Sequence, residues 1–583
     1  RYWLDVARYS DTKGEPPKVA GRPADPRYPY AWTYRDYVID AFNQDKPFNQ
    51  FIMEQLAADR VIEEAAKKSG TDVAKMDGSS RAALGFLTLG NRFDGRIDDI
   101  INERIDVTTK AFLGLTVSCA RCHDHKFDPI PQKDYYSLYG IFANSIEKSD
   151  AWDQPFVHPV PRTPELADYL AKAGELKKKM AGAEQDLAGF RRSRSGDKAR
   201  RQELQKNLQQ IEREIGDLEA THPGAPARAN AIFDVRLPHD YPVLIRGEAA
   251  NKGEIVPRRF LEILSPDPKK RPEYRSGSGR LELAEAIASP ANPMTARVLV
   301  NRLWQQHFGE GFVATPDDLG NMSSPPTHPE LLDYLASRFM AEGWSIKNIQ
   351  RLIVLSSVYQ ESAGDNPRYA DTDPDNKLRW RYNLRRLDFE QLHDSLLALA
   401  GTLDPTMGGR PVRIESADFA TRRAVYAYID RANPAEILTQ FDFPNPSVPS
   451  GRRYETIVPQ QSLFMMNGTL VIETARKLTQ RPEFLEFATD EERVSSLYLA
   501  VFQRPPTRST RACTPETDGS PSAMPLAASR PMVISPAMTN SVPGARRVSP
   551  GTTRTSRATP FVAPRPANAI VVRYVIPDAP SGG

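Results

Sequence analysis

The sequence predicts a mainly α, multidomain protein with a small β module and an inserted antiparallel helical hairpin. Three observations predict it. Apolar residues recur at helical spacing from residue 1 to about 150, and again from 280 to 510. Two heptad-like runs lie on either side of a short break within 163–222. In 229–265, short apolar runs alternate with Pro, Asn and Gly turns. The 583 residues are enough for roughly three or four domains.

Composition excludes several classes. Apolar residues make up 40% and charged residues 26%, an ordinary globular balance. A net charge of +3 is too close to neutral to argue for a nucleic acid or an anionic membrane as partner. No run of about 18 apolar residues exists, so no transmembrane span is expected. Three cysteines in so long a chain rule out a disulfide framework. The opening "RYWLDVARYSD" reads like the middle of an amphipathic helix. The chain is therefore expected to begin inside a domain, N-terminally truncated, with any leader missing from it.

Residues 1–160 form the first predicted domain, which is helical. Tyr34, Val38, Ile39 and Phe42, then Phe51, Ile52 and Leu56, sit at helical spacing, and Asp45, Lys46 and Pro47 separate the two helices. Ile101, Ile105, Thr108, Phe112 and Leu115 continue the pattern. The stretch "TVSCARCHDHKFDPI" follows at or just after the end of that helix, and "PQKDYYSLYGIFAN" begins another.

Residues 161–222 are the hairpin. Leu204, Leu208, Ile211, Ile215 and Leu218 alternate steps of four and three, and Leu166, Leu170, Leu176, Met180 and Leu187 nearly do so upstream. The break falls at 191–197, and each arm is expected to bury the other's apolar face. Residues 223–275 are the β module, and 276–507 a second helical domain with Pro329 in the first turn of one helix. Residues 508–583 are Ser, Thr, Pro, Ala and Arg without lysine. They read as a disordered or frameshifted tail, and Cys513 within it is given no role.

The chemistry centres on C-x-x-C-H. Thiols at this spacing can add to the two vinyl groups of a haem, and the adjacent imidazole then reaches the iron. Here Cys119 and Cys122 would anchor haem c and His123 would be the proximal iron ligand. Two other readings stay open. A reduced Cys pair can be a small buried apolar element. A zinc or iron site could draw on the two thiolates with His123, His125, Asp124 and Asp128, although no second C-x-x-C exists. A distal haem ligand could come from Met294, Met322, Met465, Met466, His158, His307, His328 or His393; His125 is too close in sequence. His328 and His393 otherwise read as surface or capping residues. The turn-rich "FDFPNPSVPSGRRYETIVPQQSLFMMN" is expected to cap the helical domain rather than to line a pocket. No G-x-S-x-G, P-loop or dinucleotide fingerprint stands in a strand–helix context.

Several long stretches carry a family resemblance. "RYWLDVARYSD", "YPYAWTYRDYVIDAFNQDKPFNQFIMEQLAAD" and "AFLGLTVSCARCHDHKFDPIPQKDYYSLYGIF" resemble the planctomycete cytochrome-c-like domain of unknown function of PSCyt type. "NPMTARVLVNRLWQQHFGEGFVATPDDLGNMSSPPTHPELLDYLA", "RRLDFEQLHDSLLALAG" and the turn-rich stretch resemble its usual C-terminal companion of PSD type. The resemblance covers about 1–507. It implies an exported protein, often preceded by a separate haem-type domain, from bacteria rich in sulfatases and polysaccharide-degrading systems. It carries over only Cys119, Cys122 and His123 as a haem site. The matching run from Asp124 to Pro129 exceeds what haem attachment needs.

The expectation is an exported c-type haem protein, periplasmic or at the cell surface. It would act in electron transfer or oxidative chemistry linked to polysaccharide degradation, with a redox protein or envelope polysaccharide as partner. The alternatives are a metal-dependent hydrolase using the CARCHDHKFD cluster and a cell-surface binding or structural protein.

Overall fold

The computed structural model describes residues 1–507 except 17, 20, 21, 24, 149, 150, 161, 194–196 and 416–419. The expected tail at 508–583 lies outside the described residues. Among the described residues, 1–478 form one compact unit and 479–507 belong to a second.

Helix α1 (Tyr2–Val6) is short, and Arg8 follows it at φ 47°. The amphipathic opening thus buries Trp3, Leu4 and Val6 with a single turn of helix rather than a long one. Helices α2 (Ala31–Asn43) and α3 (Phe48–Ser69) flank the expected break. Trp3 meets Phe51 edge-on at 5.0 Å, and Phe86 meets Phe112 at 5.2 Å. Burying each such ring contributes about 1.5–3 kcal/mol. Helix α4 (Ile97–Leu113) places Ile101, Ile105 and Phe112 in the same core and ends at Gly114, φ 57°. Helix α5 (Gln132–Ala143) starts after the two prolines.

The hairpin is α6 (Pro164–Arg192) and α7 (Lys198–Thr221). Thr163 caps α6 and Asp197 caps α7 through their side chains. The α7 seam uses Leu204, Leu208 and Ile211, as the spacing predicts. In α6 three of the five expected positions, Leu176, Met180 and Leu187, lie on the observed stripe, and the departure is at its start. Tyr169, Ala173, Ala183 and Leu187 are buried while Leu170 is 56% exposed. With Leu176 and Met180 partly covered, the stripe runs 169, 173, 176, 180, 183, 187. At the start of α6 the buried positions are Tyr169 and Ala173, Leu170 is exposed, and Leu166 is half-buried.

Residues 223–275 supply β2 (Ile232–Asp234), which pairs antiparallel with β1 (Ser145–Glu147) of the first helical region, Ile146 opposite Phe233. Strands β3 (Tyr241–Leu244) and β4 (Lys252–Val256) form an antiparallel hairpin beside α5. A further two-residue ladder joins Lys18–Val19 to Arg22–Pro23.

The second helical region is α8 (Arg280–Ala288), α9 (Thr295–Phe308), α10 (Pro329–Ala341), α11 (Ile346–Val354), α12 (Phe389–Leu399) and α13 (Pro459–Asn467). Pro329 opens α10 as expected. Helix α8 packs on α3, and α9 on α4 and α10. One apolar core runs from Trp3 through Phe112 and Phe339 to Phe441, so both helical regions and the β elements share it. Buried ion pairs cross the same junction. Arg280, fully buried, binds Asp59 at 2.7 and 3.0 Å and Asp234 at 2.7 Å. Arg302 donates to the carbonyls of Lys110 and Ala111, satisfying the C-terminal end of α4.

In the second unit, a helix spans Asp490–Phe502. Thr489 and Glu492 close a capping box at its start, with bonds of 3.1 and 3.2 Å.

Candidate functional site

The C-x-x-C-H segment lies between α4 and α5. Gly114 must be glycine: a Cβ there would sit 2.9 Å from Leu319 Cδ1 and 3.0 Å from Val298 Cγ2, on top of a positive φ. The Leu319 amide donates to the Gly114 carbonyl at 2.8 Å, fixing the helix end against the second helical region. A 3₁₀ helix over Val117–Arg121 follows. Val117 and Ala120 are buried and anchor it. Cys119 lies within this turn and Cys122 caps it three residues on. Both are free thiols and both are exposed. The reading of a buried, inert Cys pair is thereby corrected: the anchoring role falls to Val117 and Ala120.

The β3–β4 connection runs beside Cys122. Gly247 has φ 74°, and a Cβ on it would come within 2.9 Å of the Cys122 Sγ. Gln132 and Tyr136 each donate to the Arg121 and Leu244 carbonyls at 3.0–3.2 Å, tying motif, α5 and β3 together. Arg121 Nη1 reaches Asp99 Oδ1 at 2.9 Å.

The two histidines of the run are held in opposite ways. His123 is exposed, and its Nδ1–H donates to the Asp124 carbonyl at 2.6 Å. That bond fixes the tautomer with a lone pair on Nε2, the state a metal requires. His125 has only 5% of its side chain exposed. Its Nδ1 accepts from the Asp128 amide at 2.8 Å and the Phe127 amide at 3.3 Å. Its Nε2–H is then the donor to Thr116 Oγ1 at 3.2 Å.

The carboxylates are also engaged. Asp124 Oδ1 accepts from the Gln132 amide at 2.8 Å, at the first residue of α5. Asp128 Oδ1 accepts from the Asn321 amide at 2.7 Å, and Asn321 Nδ2 donates to the Phe127 carbonyl at 2.9 Å. Gly320 leaves room for this: its Cβ would lie 2.5 Å from Asp128 Oδ2. His125, Asp124 and Asp128 therefore hold the loop and join it to the second helical region. Among the described residues no group of three or more His, Cys, Asp or Glu side chains is arranged to hold a metal ion.

The residues fit a covalently held haem in three respects. The thiols are free and exposed, they stand three residues apart at one turn, and His123 offers Nε2. Of the distal-ligand candidates, Met322 is 61% exposed and follows Asn321, whose bonds reach the cysteine loop. The others lie on other segments of the chain. His307 stands edge-on to Tyr359 at 5.5 Å, and burial, then the nearby Arg385 charge, brings its pKa down to about 4. His328 lies at the N-cap of α10, the capping place expected. His393 is fully buried against Phe389, which corrects the expectation of a surface or capping residue. Met294 packs on the core, Met465 is half-buried and Met466 exposed on α13, and His158 is exposed beyond β1.

A second feature escaped the sequence. A cavity of about 920 Å³ opens between α1, α9, α11 and the segments 381–388 and 450–455. Ser450 to Glu455 line it, so the turn-rich stretch is a pocket wall as well as a cap. Arg453 spans its base, with Nε on Asp5 Oδ2 and both Nη groups on Glu390, all at 2.8 Å. Arg1 adds a bond to Glu390 at 3.0 Å. Burial alone would raise the Glu390 carboxyl, but Arg453 and Arg1 outweigh it and hold it at about 2. The signal in the sequence was the charge of "GRRYE" itself, which gives no hint of Asp5 or Glu390 as partners.

No helix of the described residues is long and apolar enough to cross a membrane. No curated protein and no solved structure matches the chain. Two families do match: PSCyt2, a protein of unknown function (DUF1549), over residues 1–147, and PSD1, a protein of unknown function (DUF1553), over residues 279–516. The cysteine loop belongs to the first and the Asn321 tether to the second. The chain thus carries a PSCyt2 region at its N-terminal side and a PSD1 region after it, the pairing that the resemblance implies.

Proposed function

We propose that this protein carries haem c on Cys119 and Cys122, with His123 as proximal iron ligand, and serves electron transfer or oxidative chemistry at the cell envelope. The observation that carries this reading is the contrast within seven residues. Both thiols and His123 Nε2 are accessible, while Arg121, Asp124 Oδ1 and both ring nitrogens of His125 are engaged in holding the loop. A run whose support is so complete is organised around the three groups left free. Bound haem would supply the redox couple, and the chain would tune it through ligand choice and burial. Asp124 sets the His123 tautomer through its carbonyl. Met322, next to the Asn321 that bonds to Asp128 and Phe127, would offer its sulfur as a second iron ligand. Attachment needs an exported, haem-loading compartment, so the reading places the protein in the periplasm or at the cell surface.

The test is the absorption spectrum of protein made in a haem-loading host. A Soret band that stays with the protein through acid–acetone extraction is expected. Met322→Ala should keep the haem attached and convert a low-spin spectrum to a high-spin one. Colour lost to the organic phase would overturn the haem assignment. An unchanged spectrum in Met322→Ala would overturn only the distal ligand.

A further inference from the structure

We infer that the 920 Å³ cavity beside Arg453 is a binding site for an organic oxyanion, one bearing carboxylate, sulfate or phosphate groups on a compact carbon frame. Its size falls within the range of about 300–1,000 Å³ that small-molecule sites occupy. It lies where the N-terminal and C-terminal family regions meet, a usual place for such sites.

The charge of the lining selects the ligand. Eight cationic side chains line the cavity against four carboxylates. At the base the charges are balanced, since Arg453 and Arg1 share Asp5 and Glu390. At the rim they are not. Among the described residues Lys347, Arg381 and Arg452 have no carboxylate in ion-pair range. Lys347 instead donates to the Asn43 carbonyl at 2.6 Å, and Arg381 and Arg452 lie 5.0 and 5.8 Å from the ring centroids of Trp380 and Tyr454. Guanidinium groups held this way keep their forked donors for an incoming oxyanion. Phe42, Leu303, Phe308 and Ile346 add apolar surface for the carbon frame.

The rim is also held in place. The Ser450 amide donates to the Asp5 carbonyl at 3.1 Å, and the Gly451 amide to Asp317 Oδ2 at 2.7 Å. Gln305 Nε2 donates to the Gly451 carbonyl at 3.1 Å. A Cβ on Gly451 would lie 2.4 Å from Asp317 Oδ1, so the turn is seated by close approach. The turn thereby presents Arg452 and the 77%-exposed Tyr454 from a fixed backbone. Ordering costs are met before any ligand arrives, which favours binding.

Calorimetric titration of the full chain with sucrose octasulfate, trigalacturonate and inositol hexakisphosphate tests this, with sucrose as the uncharged control. At least one of the three should bind with one-to-one stoichiometry and sucrose should not, and the arm that binds identifies the oxyanion. The double variant Lys347→Gln/Arg452→Gln should weaken binding about tenfold or more, the scale of losing charge-assisted hydrogen bonds. The double variant Arg200→Gln/Arg201→Gln on the hairpin should leave it unchanged. No heat from any anion would overturn the proposal. So would binding that survives the cavity variant, or binding lost only in the hairpin variant.

Discussion

His123 and His125 are two residues apart and carry different loads. His123 gives one nitrogen to a carbonyl and leaves the other free. His125 spends both, closing the loop over Asp128 and reaching back to Thr116. The difference predicts a split between stability and chemistry. His125→Ala should lower unfolding free energy by about 2–3 kcal/mol, since it strands buried partners. Cys119→Ser and His123→Ala, at exposed positions, should change it by less than about 0.5 kcal/mol. Urea unfolding of the haem-free chain reads both, and comparable losses in all three would refute the division. The motif itself was legible in the sequence because the thiol spacing and the next-door imidazole are set by covalent chemistry. The roles of Asp124 and Asp128 were not, because Gln132 and Asn321 decide them, and Asn321 is almost two hundred residues away.

At the scale of elements, the hairpin shows where periodicity informs and where it misleads. The α7 stripe was readable, since Leu204, Leu208 and Ile211 are large and evenly stepped. The α6 stripe was readable at Leu176, Met180 and Leu187 but not at Tyr169, Ala173 and Ala183, because alanine is a weak signal in a pattern of leucines. Leu208→Ala should cost about 2–5 kcal/mol of hairpin stability by opening a cavity. Leu170→Ala should cost less than about 0.5 kcal/mol. Equal effects, measured by hydrogen exchange in the two arms, would contradict the observed seam. The hairpin base has its own chemistry. Glu219 is fully buried, accepts from Tyr169 at 2.6 Å, and burial raises its pKa to about 7 against the opposing pull of Arg228 and Arg410. A raised carboxyl keeps its proton in the folded chain where the unfolded chain has released it. Stability therefore falls as pH rises from about 4.5 to 7. Glu219→Gln should raise the unfolding temperature at pH 8 and leave it unchanged or lower at pH 4; an equal change at both would rule out this titration.

Across the whole molecule, the two family regions are joined by charge as well as by a shared apolar core. Arg453, Glu390, Asp5 and Arg1 form one buried network, and Arg280 with Asp59 and Asp234 another. Glu390 holds its charge down to about pH 2, while an unfolded glutamate takes its proton near 4.5. The stability from this depressed carboxyl is complete above 4.5 and is lost as pH falls toward 2. The span corresponds to about 3 kcal/mol. Glu390→Gln should be less stable at pH 7 and should flatten the decline between pH 4.5 and 2, as read by chemical unfolding at several pH values. The helical class, the hairpin and the β segment were visible in local patterns. These long-range pairs were not, because no local period records which arginine meets which carboxylate across more than two hundred residues. The cavity that they floor was hidden for the same reason.

The central claim is that Cys119 and Cys122 are the attachment points of a haem whose iron His123 holds. Peptide mass spectrometry on protein secreted by a haem-loading host tests it most directly. The account predicts that the peptide containing residues 119–123 carries the mass of one haem, bound through both sulfurs, and that Cys119→Ser leaves a single linkage. Recovery of that peptide unmodified, with both thiols free to alkylate, would contradict it.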